Sequence, residues 1–341
     1  MRVFQYHYLV KQKRRSLMNA VSVRYVESLL QLLRIALKRH GRMSHRVFLQ
    51  NVNFHSKSKI PVGIVLQGPI ENESSRKYLK DSLIELNRVF PPEQIVISTW
   101  ESSKIDESDI DGLASIVKSS DFGLKHNFQR QLRSASAGLR FLKNQGLPYV
   151  VKQRVDQRIG NLDSYNFILK NLQFFGEDRI LFTSRNSFYS RLFGFSDMFT
   201  FSTVENQILF WSDEVKSYQG FEWDPIAMNM PRERIIWQGT NLIPWSESWL
   251  NLRFAMIRCF KFSSSAWLDN IKYFKESCIL VNSDYLDQQW HKDRVRTHTS
   301  SLKLMFHEGK FEKHREWSFE DWISVYLKGG SDDQPSPGSF F

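Results

Sequence analysis

The chain has 341 residues, 41% of them hydrophobic and 24% charged, a balance that supports a folded body with a sizeable core and excludes a disordered or fibrous chain. The net charge of +11 points to nucleic acid only until it is mapped, because residues 1–50 hold eleven Lys and Arg against one acid, Glu27, and the remainder is close to neutral. Two cysteines, Cys259 and Cys278, set neither a disulfide framework nor a metal spacing, and no run reaches the roughly 18–20 apolar residues of a membrane span. Arg24, Glu27 and Arg34 interrupt every candidate signal-peptide core, so a cytoplasmic protein is expected.

Residues 16–40 read as one amphipathic helix, with Arg24, Gln31, Arg34 and Lys38 on one side and Val26, Leu29, Leu30, Leu33 and Leu37 on the other. A basic helix of this kind lies on an anionic membrane surface or packs on a protein. The polar and basic stretch 41–59 reads as a linker. A buried strand follows at 60–70, then a helix over 74–88, a Pro91-Pro92 turn and a strand over 94–100. A weaker helix is expected over 106–118 and a polar-faced one over 127–144. The next strand runs from Tyr149 through Arg158. A helix near 164–175, strands over 179–188 and 196–203, and a helix over 204–217 come next. Beyond these, a helix over 246–257 and a short strand within 276–286 are expected, and residues 329–341 read as a disordered tail. The alternation of apolar strands with helices predicts a mostly parallel sheet covered by helices on both faces.

Ligands of such sheets bind at the carboxyl ends of strands, which selects the candidate residues. Gln67-Gly68-Pro69 ends the first strand, and glycine there permits close backbone approach to a ligand. The 149–158 strand goes from apolar to charged at Arg154, Asp156 and Arg158, which on an extended strand share one face. Asp156 suits Mg²⁺ or Mn²⁺, and the arginines suit phosphate oxygens; a solvated ion-pair cluster is the plainer alternative. Asn127, Arg130 and Arg133 belong to the same pocket or to a solvated helix face. Asp197, after an aromatic turn, suits a hydroxyl-bearing acceptor or is an ordinary turn residue, and Glu247, between Trp245 and Trp249, is a candidate general base or an exposed helix-start acid. His291, His298 and His307 show no metal spacing. Neither a GxGxxG pattern nor a P-loop is present.

Taken in order, VLQGPI, PP followed by QIVISTW, the Asn/Arg helix ending in AGL, YVVKQRVDQRI and FGFSDMFTFST resemble the WavE lipopolysaccharide-synthesis family over roughly residues 60–260. The resemblance implies a GT-A-like, Rossmann-type fold and a bacterial glycosyltransferase. Such an enzyme moves a sugar from a nucleotide diphosphate donor onto a glycan or lipid-linked glycan of the cell surface. It further implies donor binding over 60–160 by Gln67, Gly68, Pro69, Asn127, Arg130, Arg154, Asp156 and Arg158, acceptor binding over 161–260, and a C-terminal extension over 261–328. An inverting sugar transfer would make either Asp197 or Glu247 the catalytic base. Where such enzymes carry Asp-x-Asp, this chain has Arg154-Val155-Asp156. Asp156 alone is left as a metal ligand, and Arg154 can take over part of the cation's electrostatic role.

Two other classes stay open at this point: a sugar-phosphate or nucleotidyl transferase, and a non-catalytic binding protein tethered through the basic arm. No nucleic-acid partner is expected. An arm that binds the inner membrane predicts that deleting residues 1–48 moves the protein from membrane to soluble fractions.

Overall fold

All six residues of the first strand, Val62–Gln67 (β1), are buried with no in–out alternation, the signature of a strand covered on both faces. The computed structural model describes residues 60–120, 127–187, 193–212, 246–261, 266–290 and 316–327. The expected basic helix and linker, the end of the 204–217 helix, the three candidate histidines and the tail lie outside the described residues.

Helix α1 (Glu73–Leu86) starts where the Asn72 side chain accepts from the Ser75 N–H at 2.9 Å, and it buries Tyr78, Leu79, Leu83 and Leu86 at helical spacing. Strand β2 (Ile95–Trp100) follows. The helix expected over 106–118 is not formed. Asp106 caps a single turn, α2 (Glu107–Ile110), which ends at Asp111 (φ 49°) and Gly112 (φ 72°), and Ser115–Ser119 then pairs in parallel with β2 as edge strand β3. Two successive left-handed residues cannot continue a helix, and that local rule outweighs the weak periodicity.

Helix α3 (Asn127–Asn144) presses on β1 and β2: a Cβ at Gly138 would stand 2.8 Å from Val65 Cγ1 and 2.9 Å from Ser98 Cβ. Strand β4 (Tyr149–Arg154) ends in a turn at Val155-Asp156. Next come β5 (Gln157–Ile159), α4 (Ser164–Phe175), β6 (Ile180–Thr183), β7 (Phe199–Thr203) and α5 (Val204–Trp211). Helices α6 (Ser246–Ile257) and α7 (Ala266–Ser277), strands β8 (Cys278–Val281) and β9 (Gln288–Trp290), and α8 (Phe319–Leu327) complete the described chain. No helix among the described residues is long and apolar enough to cross a membrane.

The main sheet has seven strands in the order β3-β2-β1-β4-β7-β6-β8, and β5 and β9 form a separate antiparallel pair. Every pairing in the main sheet is parallel except those of β7 with β4 and with β6. The fold is therefore an α/β sheet of mostly parallel strands with helices over its faces. Its seventh strand, β8, comes from the segment expected to be an extension. Around this end Phe195 stacks on Phe274 at 4.7 Å, and Phe182 meets Phe210 edge-on at 5.7 Å. Each fully buried ring of this kind contributes roughly 1.5–3 kcal/mol.

Candidate functional site

The strand order reverses between β1 and β4: the chain moves outward through β2 and β3, then returns to the other side of β1. Such switch points leave a crevice at the carboxyl ends of the two strands. Here those ends are Gln67-Gly68 and Arg154, register partners through Gln67 and Arg154. Gly68 has φ 141°, which favours glycine, and a Cβ there would come within 3.2 Å of Val155 Cγ2. Gln67 is buried, donating from Nε2 to Ser134 Oγ at 2.9 Å, while its carbonyl accepts from the Val155 N–H at 3.0 Å. It therefore fastens α3 to the sheet and shapes the turn that carries Asp156. Pro69 follows half-buried.

Arg154 and Asp156 form a two-pronged ion pair, Nε to Oδ1 at 2.8 Å and Nη2 to Oδ2 at 3.0 Å, with side-chain exposures of 20% and 14%. Burial works against the Arg154 charge. The Asp156 hydrogen bonds and the fields of Asp156, Asp197 and Glu247 outweigh it and hold the guanidinium more firmly protonated than usual. Arg154 is thus paired directly with Asp156 and lies within the fields of two further carboxylates from separate segments, Asp197 and Glu247. The antiparallel strand makes this possible. Because β7 runs backwards beside β4, with Phe199 opposite Gln153, its beginning, and with it Asp197, lies at the edge where β4 ends.

Asp197 is buried, and its carbonyl accepts from Lys152 Nζ at 2.7 Å. Glu247, in the first turn of α6, is also buried, and its Oε1 accepts from Asn186 Nδ2 at 3.0 Å. Asn186 sits in the left-handed region at φ 65°, which Asn tolerates, and its N–H donates to Glu316 Oε1 at 2.8 Å. Asn251 ties the two carboxylate segments together: its Nδ2 donates to the Glu247 carbonyl at 2.9 Å and the Phe195 carbonyl at 3.3 Å, and its Oδ1 accepts from Tyr273 Oη at 3.0 Å.

The remaining candidates are placed differently. Arg130 stands at 5.6 Å from the Trp100 ring centroid at the end of β2, and Arg133 donates to the Ser120 carbonyl at 3.0 Å. Asn127 opens α3, and its side chain is outside the described set. Arg158 does not share a strand face with Arg154 and Asp156, because the Val155-Asp156 turn breaks the strand. Arg158 donates instead to Gln289 Oε1 on β9 at 3.1 Å and to Glu85 Oε1 on α1 at 3.3 Å.

Both carboxylate oxygens of Asp156 accept from Arg154, and among the described residues no group of three or more His, Cys, Asp or Glu side chains could hold a metal ion. The described residues therefore build no metal centre from protein side chains alone, and the Arg154 guanidinium suits an anion that shares it with Asp156.

Sequence reasoning missed Lys152, Asn186, Asn251 and Trp211. A lysine inside an otherwise apolar strand was the one visible signal among them.

Among solved structures, a cytidylyltransferase from Leptospira borgpetersenii serovar Hardjo-bovis is similar at 16% identity, covering 64% of this chain and 94% of that one, with a TM-score of 0.28, too low to carry an inference. No curated protein matches the chain. The family model for WavE lipopolysaccharide synthesis matches residues 62–232, which include β1, β4, Asp156 and Asp197. That match spans half of the chain, and the protein belongs to the WavE lipopolysaccharide synthesis family.

Proposed function

We propose that this protein is a glycosyltransferase with a GT-A-like arrangement. In this reading it moves a sugar from a nucleotide diphosphate donor onto a glycan or lipid-linked glycan intermediate of lipopolysaccharide or a related surface polysaccharide. The observation that carries the reading is the two-pronged pair of Arg154 with Asp156 at the sheet's switch point, lying within the fields of the buried Asp197 and Glu247. Transfer needs a fixed cation for the departing diphosphate and a carboxylate for the acceptor proton, and this cluster supplies both types.

In the inverting form of the reaction, the acceptor hydroxyl oxygen bonds to the anomeric carbon as that carbon's bond to the diphosphate oxygen breaks. The hydroxyl proton passes to Asp197 or Glu247, and nucleoside diphosphate leaves with the electron pair. Arg154 stabilises the charge that develops on the diphosphate, and Asp156 holds the guanidinium in plane for it. Arg130, beside Trp100, adds a second cation on the donor side. No step is assigned to a divalent ion, because Asp156 is engaged by Arg154. Residues 1–48 are proposed to hold the enzyme on the anionic inner face of the membrane where lipid-linked acceptors lie.

The test is a thermal-shift screen against UDP-, GDP-, CMP- and dTDP-sugars with and without Mn²⁺, followed by product analysis with a labelled donor. Stabilisation by a nucleotide diphosphate sugar and release of nucleoside diphosphate fit the proposal. Release of pyrophosphate, or of nucleoside monophosphate from a nucleotide diphosphate sugar, would replace it with a nucleotidyl or sugar-phosphate transferase.

A further inference from the structure

Lys152 stands in the middle of β4 with no exposed surface. Its ammonium donates to the Asp197 carbonyl at 2.7 Å and lies 4.0 Å from the centroid of the Trp211 ring. The register sets it beside Thr200, whose hydroxyl accepts from Trp211 Nε1 at 3.1 Å and donates to Gln207 Oε1 at 3.0 Å. One carbonyl and one aromatic face compensate a buried charge poorly. A sheet built for stability alone would carry an apolar side chain here, since buried ions are commonly replaced by apolar groups with no loss.

The place of this charge explains its presence. Arg154 lies two residues further along the same face of the same strand, and the carbonyl that Lys152 holds belongs to Asp197. We infer that Lys152 is a positioning residue of the transfer reaction: its ammonium ties the Asp197 main chain to β4 and so sets where the Asp197 carboxylate stands beside Arg154. This inference rests on the reading of Asp197 as a group that faces the acceptor.

The tie is sensitive to protonation. Burial, and more weakly Arg154, push the ammonium to lose its proton, while Asp197 and Asp156 favour keeping it, and the balance lowers its pKa to about 7. From α5 it meets the Trp211 ring. A donor diphosphate at Arg154 adds negative charge close by and strengthens the tie in the loaded enzyme.

The experiment compares the full-length wild-type protein with Lys152→Met and Lys152→Arg in melting temperature, donor KM, kcat, and the pH profile of kcat/KM. Wild-type protein that transfers no sugar from any nucleotide sugar defeats the functional reading and this inference together. With an active wild type, Lys152→Met is expected to melt no lower than wild type, keep donor KM within about threefold, and lose roughly 10²-fold in kcat, the scale of an ångström-size misplacement. Wild-type kcat/KM should fall as pH rises above about 7. That alkaline limb should vanish in Lys152→Met and move to higher pH in Lys152→Arg, whose guanidinium keeps its proton. An active wild type whose Lys152→Met variant keeps normal kcat, or fails to fold, overturns the inference. So does an alkaline limb unchanged in both variants.

Discussion

On one face of β4, Val150, Lys152 and Arg154 point toward α3 and α5; on the other, Tyr149, Val151 and Gln153 point toward α4. Both faces are largely buried, yet they are filled differently. The α4 face carries uncharged polar groups: Tyr165 Oη reaches Gln153 Oε1 at 3.5 Å, and burial raises the phenol's pKa so that it stays neutral. The α5 face carries two cations in six residues, answered by the Asp197 carbonyl, the Trp211 ring and Asp156. A charge removed from water costs several kcal/mol unless it is compensated. The comparison teaches that this strand accepts that cost only along the face that ends in the crevice between β1 and β4.

The comparison can be broken at four places. On the charged face, Asp197→Asn and Glu247→Gln should lower kcat, and whichever residue is the base should show a loss of roughly 10²–10⁴-fold. Steady-state kinetics of the two variants ranks them, and equal, small losses in both would remove carboxylate base catalysis from the account. On the α4 face, Leu172 is fully buried, and Leu172→Ala should cost about 2–5 kcal/mol of stability in chemical denaturation. Turnover per folded molecule should stay unchanged.

Lys152 tests the boundary between the two faces through stability alone. Its folded pKa of about 7 lies below the 10.5 of an ordinary solvated lysine, so between these values the unfolded chain binds more protons and wild-type stability rises with pH. Lys152→Met should therefore be more stable than wild type by roughly 1–4 kcal/mol at and below neutral pH. The margin should shrink as pH rises toward 10, and a margin that grows with pH would contradict the assigned environment. The smallest effect is expected at Arg158, whose guanidinium is held by Glu85 on α1 and Gln289 on β9. Arg158→Ala should change stability by no more than about 1 kcal/mol and leave donor KM as it is, which binding assays would check.

Much of this architecture was legible in the residues. The apolar runs of β1, β2 and β4 and the helical spacing of α1, α3, α4 and α6 announced a covered parallel sheet, and Asp156 stood out as a charge at a strand end. Strand β3 was not legible because its five residues follow a capped single turn, and the deciding feature was the backbone of Asp111 and Gly112. The pairing of Arg154 with Asp156 depends on a turn that strand periodicity does not encode. The placement of Asp197 at the edge where β4 ends depends on the reversal of β7, a pairing between segments far apart in the chain. Lys152 was hidden for a further reason: a lysine in an apolar run is ordinarily read as one whose head reaches water, and only the packed sheet shows it enclosed.

The most direct test of the account uses a labelled nucleotide diphosphate sugar and compares the wild-type protein with Asp156→Ala, each first verified as folded by circular dichroism and melting temperature. The account predicts labelled glycan and free nucleoside diphosphate from the wild type, and a folded Asp156→Ala protein without sugar transfer. Near-normal transfer by Asp156→Ala would contradict it.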